Sequence, residues 1–302
     1  MLPFARVSII GMGLIGSSLA RAVRAHMPTV RLTATDADPA VRERVRDLNL
    51  VDDVADSAGA AVVDADLVVL AVPLGAFAAV GAEIAPELAS GAVVSDVGSA
   101  KQIVIDALGP LMPPGVHLIP AHPVAGTERS GPDAGFPTLF EGRWCILTPP
   151  EGADSAAVAR LSEFWARVGS RVEVMEPRHH DLVLAVTSHI PHLIAYSIVG
   201  TAADLEGVTR GEVIKYSAGG FRDFTRIAAS DPTMWRDVFL TNKDAVLEVL
   251  GRVSEDIAAL QRAIRWGEGD ALFQRFSSSR DIRRAIIDAG QDTADPDFGR
   301  HH

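Results

Sequence analysis

Residues 6–20 read RVSIIGMGLIGSSLA, and the fold turns on that stretch. RVSII is an apolar run of strand length. It passes into Gly11, Gly13 and Gly16 at the spacing G-x-G-x-x-G, and the residues that follow open a helix. This order is the dinucleotide-binding fingerprint. The first glycine permits a tight turn, the second lets the backbone approach a pyrophosphate, and the third lets the helix pack on the strand. The helix N-terminus then faces the phosphates with free N–H groups. Alone, the pattern is weak evidence, because glycine turns also simply connect strands to helices. Here a second strand, RLTAT (31–35), ends at Asp36, where a carboxylate accepts hydrogen bonds from the adenosine ribose and repels a 2′-phosphate. The expected cofactor is therefore NAD, held by Gly11, Gly13, Leu14, Ile15, Gly16 and Asp36. Asp38 is a rival to Asp36, and either acid can instead be a loop or cap residue.

Outward from this turn, short apolar runs alternate with helical patterns. RVSII (6–10), RLTAT (31–35), LVVLAV (67–72), AVVSDV (92–97) and VHLIPA (116–121) read as buried strands, as a parallel sheet covered on both faces requires. WCILTP (144–149) and RVEVME (171–176) read as further strands around a helix near 154–168. From Pro177 the periodicity becomes helical throughout. The fold expected is an α/β Rossmann-like domain over residues 1–176 followed by an all-helical domain over 177–302. Apolar periodic surface between about 231 and 289, in a domain with no sheet to cover, predicts a homodimer made by those helices.

Composition narrows the function classes. The 302 residues carry a formal net charge of -11, with 39 acidic against 28 basic side chains. Neither half is basic, which argues against a nucleic-acid surface. Hydrophobic residues make up 48%, enough for a sizeable core. The single Cys145 leaves no internal disulfide or cysteine-rich metal site and fits a reducing, cytoplasmic setting. No targeting segment is evident, and no uninterrupted apolar run approaches the roughly 18 residues of a membrane span. The polar end, DTADPDFGRHH, is expected to fray.

Two loops follow strands at the edge where such folds bind ligands. SDVGSAK (95–101) carries Ser99, which also suits a helix N-cap. AHPVAGTERSG (121–131) carries His122, read as ending the VHLIPAH strand beside Pro123 and Gly126. A neutral imidazole there can take a proton from an alcohol as hydride leaves the same carbon, although a lone histidine is more often structural. In the helical half, SHIPH places His189 and His192 at i, i+3. With no third ligand at familiar spacing, they read as a partly buried helix face around a proline rather than a metal pair. Phe221, Phe224 and Trp235 read as core. Arg222 and Arg226 are i, i+4; each can pair with Asp223 or Asp231, or one can fork onto a substrate carboxylate.

Together, GMGLIG, DVGSAK, HPVAGTERSG, SHIPH and GGFRDFTRIAASDPTMWRD resemble the prephenate/arogenate dehydrogenase family of tyrosine biosynthesis, from about Arg6 to Asp288. The resemblance implies a Rossmann-like domain, a dimerising helical domain and an active site in the cleft between them. It implies oxidative decarboxylation of prephenate to 4-hydroxyphenylpyruvate with NAD. His122 corresponds to the proton acceptor and Ser99 to a serine that orients it. Arg226 corresponds to an arginine binding the ring carboxylate, His192 to a histidine near the pyruvyl side chain, and Glu128 to a gating or ionic glutamate. Other readings are a relative acting on arogenate or another amino-substituted prephenate, a dehydrogenase of the 3-hydroxyacid type, and a non-catalytic NAD sensor.

Overall fold

The computed structural model describes residues 2–127, 129–204, 212 and 219–288. Glu128 and the terminal His301 and His302 lie outside them. The chain forms two compact units, Met1–Leu247 and Glu248–His302.

The first unit is built on a six-stranded parallel sheet. Its strands are β1 (Arg6–Ile10), β2 (Arg31–Thr35), β3 (Asp53–Val54), β4 (Leu67–Leu70), β5 (Val93–Asp96) and β6 (His117–Leu118), in the spatial order β3-β2-β1-β4-β5-β6. Side chains alternate across a strand, so a sheet covered on both faces needs apolar residues at successive positions. Val7, Ile9, Leu67, Val69 and Val93 point into one core with Leu19, Phe164 and Trp165. Ile10, Val68, Leu70 and Val94 point into a second core with Phe77, Val104 and Leu108. The helices that cover the sheet are α1 (Leu14–His26), α2 (Pro39–Asp47), α3 (Ala58–Val62), α4 (Phe77–Ile84), α5 (Gln102–Leu108) and α6 (Ser155–Arg167). The α/β architecture read from the sequence is the one observed, with β3 as a short strand that its sequence did not advertise.

One expectation is corrected. The chain around His122 is not the end of a strand of the parallel sheet. β6 leaves that sheet after Ile119, whose N–H still donates to the Val94 carbonyl at 2.9 Å. The next donor on that side, Ala121 N–H, reaches the Asp96 side chain at 3.2 Å instead of a backbone carbonyl. The opposite edge then pairs elsewhere. β7 (Ala121–Pro123) runs antiparallel to β8 (Trp144–Leu147), with His122 opposite Ile146, and β8 runs parallel to β9 (Arg171–Val174). His122 thus sits mid-strand in a separate three-stranded sheet, at the edge of the first.

From Pro177 the first unit is helical: α7 (Pro177–Leu184), a π turn over Ala185–His189, α8 (Ile190–Asp204), α9 (Gly219–Thr225) and α10 (Pro232–Thr241). Glu176 caps α7 by accepting from Arg178 and His179 N–H. In the π turn the Ile190 N–H reaches back five residues to Ala185 O, a widening that accommodates Pro191 in the next turn, which has no N–H to donate. The run Pro177–Ala202 is long and apolar enough to cross a membrane by length and composition. Within it Asp181, His180 and His189 are buried and hydrogen-bonded to protein groups.

The second unit comprises most of α11 (Lys243–Trp266) together with α12 (Gly269–Asp288). Arg275 pairs with Asp256. Large apolar side chains remain on its surface, among them Trp266 at 72% and Phe273 at 71% exposed.

The ion pair between Lys101 Nζ and Asp96 Oδ2, at 2.5 Å with both side chains fully buried, ties the end of β5 to the start of β7. Burial pushes the Asp96 carboxyl up and the Lys101 ammonium down, and each partner pulls the other back. Removing one charge strands the other. Lys101→Met is expected to cost about 3–5 kcal/mol in urea unfolding; a cost below about 1 kcal/mol, the range of an exposed pair, would show that the pair does not hold this junction.

Candidate active site

The glycine turn has the geometry its sequence demands. Gly11 lies at φ +95°, a region that side chains disfavour, and its N–H donates to Thr35 O at 2.8 Å. A Cβ on Gly11 would run into Ala71, and one on Gly16 into the Gly11 carbonyl. Gly13, the residue before α1, differs: a Cβ there meets nothing within 4 Å. The second glycine is therefore not required by packing. The open approach to its backbone is what a pyrophosphate at the helix N-terminus needs. Leu14 and Ile15 pack against the core at the first turn of α1.

Asp36 follows β2 directly, and its carboxylate accepts from Met12 N–H at 2.8 Å and Asp38 N–H at 3.0 Å. A carboxylate has about four acceptor directions, so two remain for ribose hydroxyls. Asp38 is the N-cap of α2, accepting from Ala40 N–H. Asp38 is thus engaged as a helix cap, while the carboxylate of Asp36 holds the glycine turn through Met12 N–H.

Around His122 the site is assembled from both halves of the first unit. His122 Nδ1 lies 2.9 Å from His180 Nε2, and His180 Nδ1 lies 2.9 Å from Asp181 Oδ1. His180 is fully buried, and Asp181 and His122 nearly so. The Asp181 carboxylate also accepts from Lys101 N–H at 2.7 Å and Gln102 N–H at 2.9 Å, so it caps α5 from α7. Ser99 is consequently not the cap. Its hydroxyl makes no hydrogen bond among the described residues, and the group that faces His122 Nδ1 is His180. Burial holds His122 well below the usual histidine range, aided by the nearby His180, Lys101 and His189. It is therefore a neutral imidazole at pH 7, able to receive a proton.

His189 and His192 flank an aromatic wall. His192 stacks on Trp235, with ring centroids 3.6 Å apart, and His189 meets the same ring edge-on. His189 Nδ1 lies 3.1 Å from Asn242 Nδ2, whose amide also donates to Asp181 O at 2.8 Å. Burial pushes His189 down to about 4. His192 Nδ1 donates to Ser188 O at 2.9 Å, and its basicity is lowered by burial and by Arg226 nearby. Arg226 is exposed and has no carboxylate partner among the described residues, whereas Arg222 pairs with Asp223 at 3.6 Å. Trp235 is buried as expected, but Phe224 is 43% exposed, so the sequence reading of it as core does not hold within the described residues.

The segment after His122 is clamped over α1 and α2. Arg44 Nη2 reaches Asp133 at 2.6 Å, Arg21 donates to Pro132 O at 3.1 Å, and Phe136 N–H donates to Ser18 Oγ at 3.1 Å. Sequence reasoning missed His180, Asp181, Asn242 and the Asp96–Lys101 pair. The adjacent His-Asp of RHHD, at a helix start, was the one signal on the page.

Comparison with known proteins shows the family of this fold. The family described as "Prephenate dehydrogenase, nucleotide-binding domain" matches residues 19–174, and "Prephenate dehydrogenase, dimerization domain" matches residues 176–278. A cyclohexadienyl dehydrogenase of Zymomonas mobilis is 44% identical over 95% of this chain and 97% of its own. A prephenate dehydrogenase of Bacillus subtilis is 34% identical over 93% of this chain and 76% of its own. The crystal structure of Aquifex aeolicus prephenate dehydrogenase in complex with hydroxyphenyl propionate and NAD+ superposes with a TM-score of 0.86 at 31% identity, covering 95% of this chain and 98% of that one.

The three glycines separate packing from cofactor binding. Gly13→Ala should leave the melting temperature nearly unchanged, because its Cβ has room, while weakening NAD binding in calorimetry by tenfold or more. Gly16→Ala should lower the melting temperature itself. NAD affinity unchanged in Gly13→Ala would show that no phosphate approaches that backbone.

Proposed function

This chain belongs to the prephenate dehydrogenase family, and we propose from that premise that it catalyses the oxidative decarboxylation of prephenate to 4-hydroxyphenylpyruvate. The observation that carries the reading is the buried, neutral His122 beside the end of β5, backed by histidines and a carboxylate rather than by a metal-type ligand set. NAD, when bound, supplies the hydride acceptor. His122 takes the proton of the ring hydroxyl at Nε2, the nitrogen that has no partner among the described residues. Carbon dioxide leaves its bonding pair in the ring, which becomes aromatic, and the resulting phenolate oxygen takes the proton back from His122 Nε2. The protein therefore has to orient the ring, hold carboxylates and accept one proton. The exposed guanidinium of Arg226 offers a fork to a substrate carboxylate, which a lysine does not reproduce. Ser99, on the loop between β5 and α5, is assigned to orienting His122, and Glu128 to a gating or ionic role. The division proposed for the chain is a dinucleotide-binding domain over 1–176 and a helical domain over 177–302.

The apolar side chains exposed on α11 and α12, including Ile257, Ile264, Phe273 and Ile282, fit a homodimer in which a second copy covers them, in keeping with the dimerization family matched over 176–278. The buried thiol of Cys145 fits the cytoplasm.

One contact favours a second reading, in which arogenate is accepted as well. A histidine near the pyruvyl side chain that donated a hydrogen bond to it would disfavour an ammonium there. The Nδ1–H of His192 is engaged by Ser188 O, so Nε2 of the neutral ring is an acceptor. An ammonium can donate to it, and only the protonated ring can donate to a ketone. Burial and Arg226 lower His192 below its ordinary 6.5, so the neutral form prevails at pH 7.

Reduced-cofactor absorbance with each substrate tests both readings. Prephenate should be turned over with NAD; no turnover of either substrate overturns the assignment. His122→Asn should lower kcat by roughly two to four orders of magnitude, and Arg226→Lys should raise KM with NAD affinity nearly intact. The ratio of kcat/KM for arogenate to that for prephenate should hold steady above pH 6.5 and fall only at lower pH, as His192 gains its proton. A ratio independent of pH, or unchanged in His192→Asn, removes His192 from substrate selection.

A further inference from the structure

We propose that Asp181 and His180 are positioning residues that decide which nitrogen of His122 is bare; the proposal rests on the reading of His122 as the proton acceptor. The chain of reasoning starts from two groups with no choice. The backbone N–H groups of Lys101 and Gln102 can only donate, and both point at the Asp181 carboxylate, at 2.7 and 2.9 Å. That carboxylate is therefore an acceptor on both oxygens. His180 Nδ1, 2.9 Å from Asp181 Oδ1, must carry hydrogen. A neutral imidazole has one N–H, so His180 Nε2 is bare.

His122 Nδ1 lies 2.9 Å from that bare nitrogen and must in turn donate to it. The single hydrogen of neutral His122 is then on Nδ1, and its Nε2 holds a free lone pair. The opposite tautomer of His122 would set two lone pairs face to face at 2.9 Å in a site with His180 fully buried and His122 8% exposed, where an unmade hydrogen bond is costly. Both rings are kept neutral by burial, with Lys101 opposing a charge on each, His189 opposing one on His122, and Asp181 and Asp96 favouring one on His180.

The two backing groups are themselves fixed. Asn242 Nδ2 donates to Asp181 O at 2.8 Å, and α7 carries His180 and Asp181 side by side. When His122 Nε2 receives the hydroxyl proton, the new imidazolium keeps its Nδ1–H on His180 Nε2, and the Asp181 carboxylate one ring further balances the charge. No other proton needs to move. This logic of a carboxylate fixing a tautomer through a ring N–H is general to histidine bases; here a second imidazole is interposed.

Nitrogen-15 NMR of the full-length protein labelled at histidine, with the His122 signals identified by their loss in His122→Asn, reads the tautomer directly at pH 7.5. The expected result is a protonated Nδ1 and an unprotonated Nε2 on His122. A proton on Nε2 overturns the proposal, even where His122→Asn is inactive. If His122→Asn stays active, the proton-acceptor reading falls while the tautomer is still measured. Kinetics give a second readout. Asp181→Asn, presenting an amide N–H to His180 Nδ1, reverses the chain and should lower kcat by about 10³–10⁴, as replacing the carboxylate of a histidine base does elsewhere, with KM and NAD affinity within a few-fold. His180→Gln keeps an acceptor oxygen for His122 Nδ1–H and should retain activity within about tenfold, while His180→Leu should lose at least a hundredfold. Equal losses in the Gln and Leu variants would mean that His180 only fills space.

Discussion

The buried Asp96–Lys101 pair is the constraint on which the site depends. Asp96 ends β5, and its carboxylate accepts from Lys101 Nζ, from Gly98 N–H and from Ala121 N–H. Lys101 also donates from Nζ to Ala121 O at 2.9 Å, while its backbone N–H is held by Asp181. Two buried charges thus join three segments: the loop carrying Ser99, the strand carrying His122 and the helix carrying His180. A pair buried to this degree gains little net stability over an apolar substitute, because desolvation offsets the attraction. Its effect is geometric, since every donor and acceptor it satisfies fixes a piece of backbone next to His122.

The same junction explains why the chemistry needs so little from the protein. In the reaction proposed, the product ring is stabilised by aromaticity, so the demands reduce to orientation and the movement of one proton to His122 and back. Burial keeps His122 neutral, and the groups behind it are placed by backbone N–H donors that have no alternative. The helical segment beyond Pro177 brings its own surface to this edge, with Trp235, His192 and Arg226 close together. The hydrogen-bonding sense of His192, the group proposed to select among substrates that share a ring and differ in side chain, is set by the Ser188 carbonyl.

The sequence disclosed what local rules govern. Continuous apolar runs announced a covered parallel sheet, and the glycine spacing located the turn whose Gly11 needs positive φ and whose Gly13 needs open space. The place of Asp36 directly after β2 was legible because the apolar run RLTAT ends there. The move of His122 into a second sheet was not legible, because its cause is a side chain: Asp96 takes the Ala121 N–H that a backbone carbonyl would otherwise receive. Ser99 looked like a helix cap because a serine before an apolar run usually is one, yet Asp181 supplies the cap from 80 residues away. His180 was passed over for the same reason, since its partners come from β7 and α5 and no local spacing connects them. Phe224 shows the reverse error, in which a hydrophobic residue was assigned to a core that the described residues do not provide.

In the reaction proposed, the ring hydroxyl of the substrate meets His122 Nε2 at the edge joining β5 and β7. A crystal structure of the enzyme with NAD and 4-hydroxyphenylpyruvate measures this directly. The account predicts the phenolic oxygen within about 2.6–3.2 Å of His122 Nε2, with His122 Nδ1 still on His180. A product ring seated with that oxygen against another side chain, or a His122 ring turned so that Nδ1 faces the ligand, would contradict it.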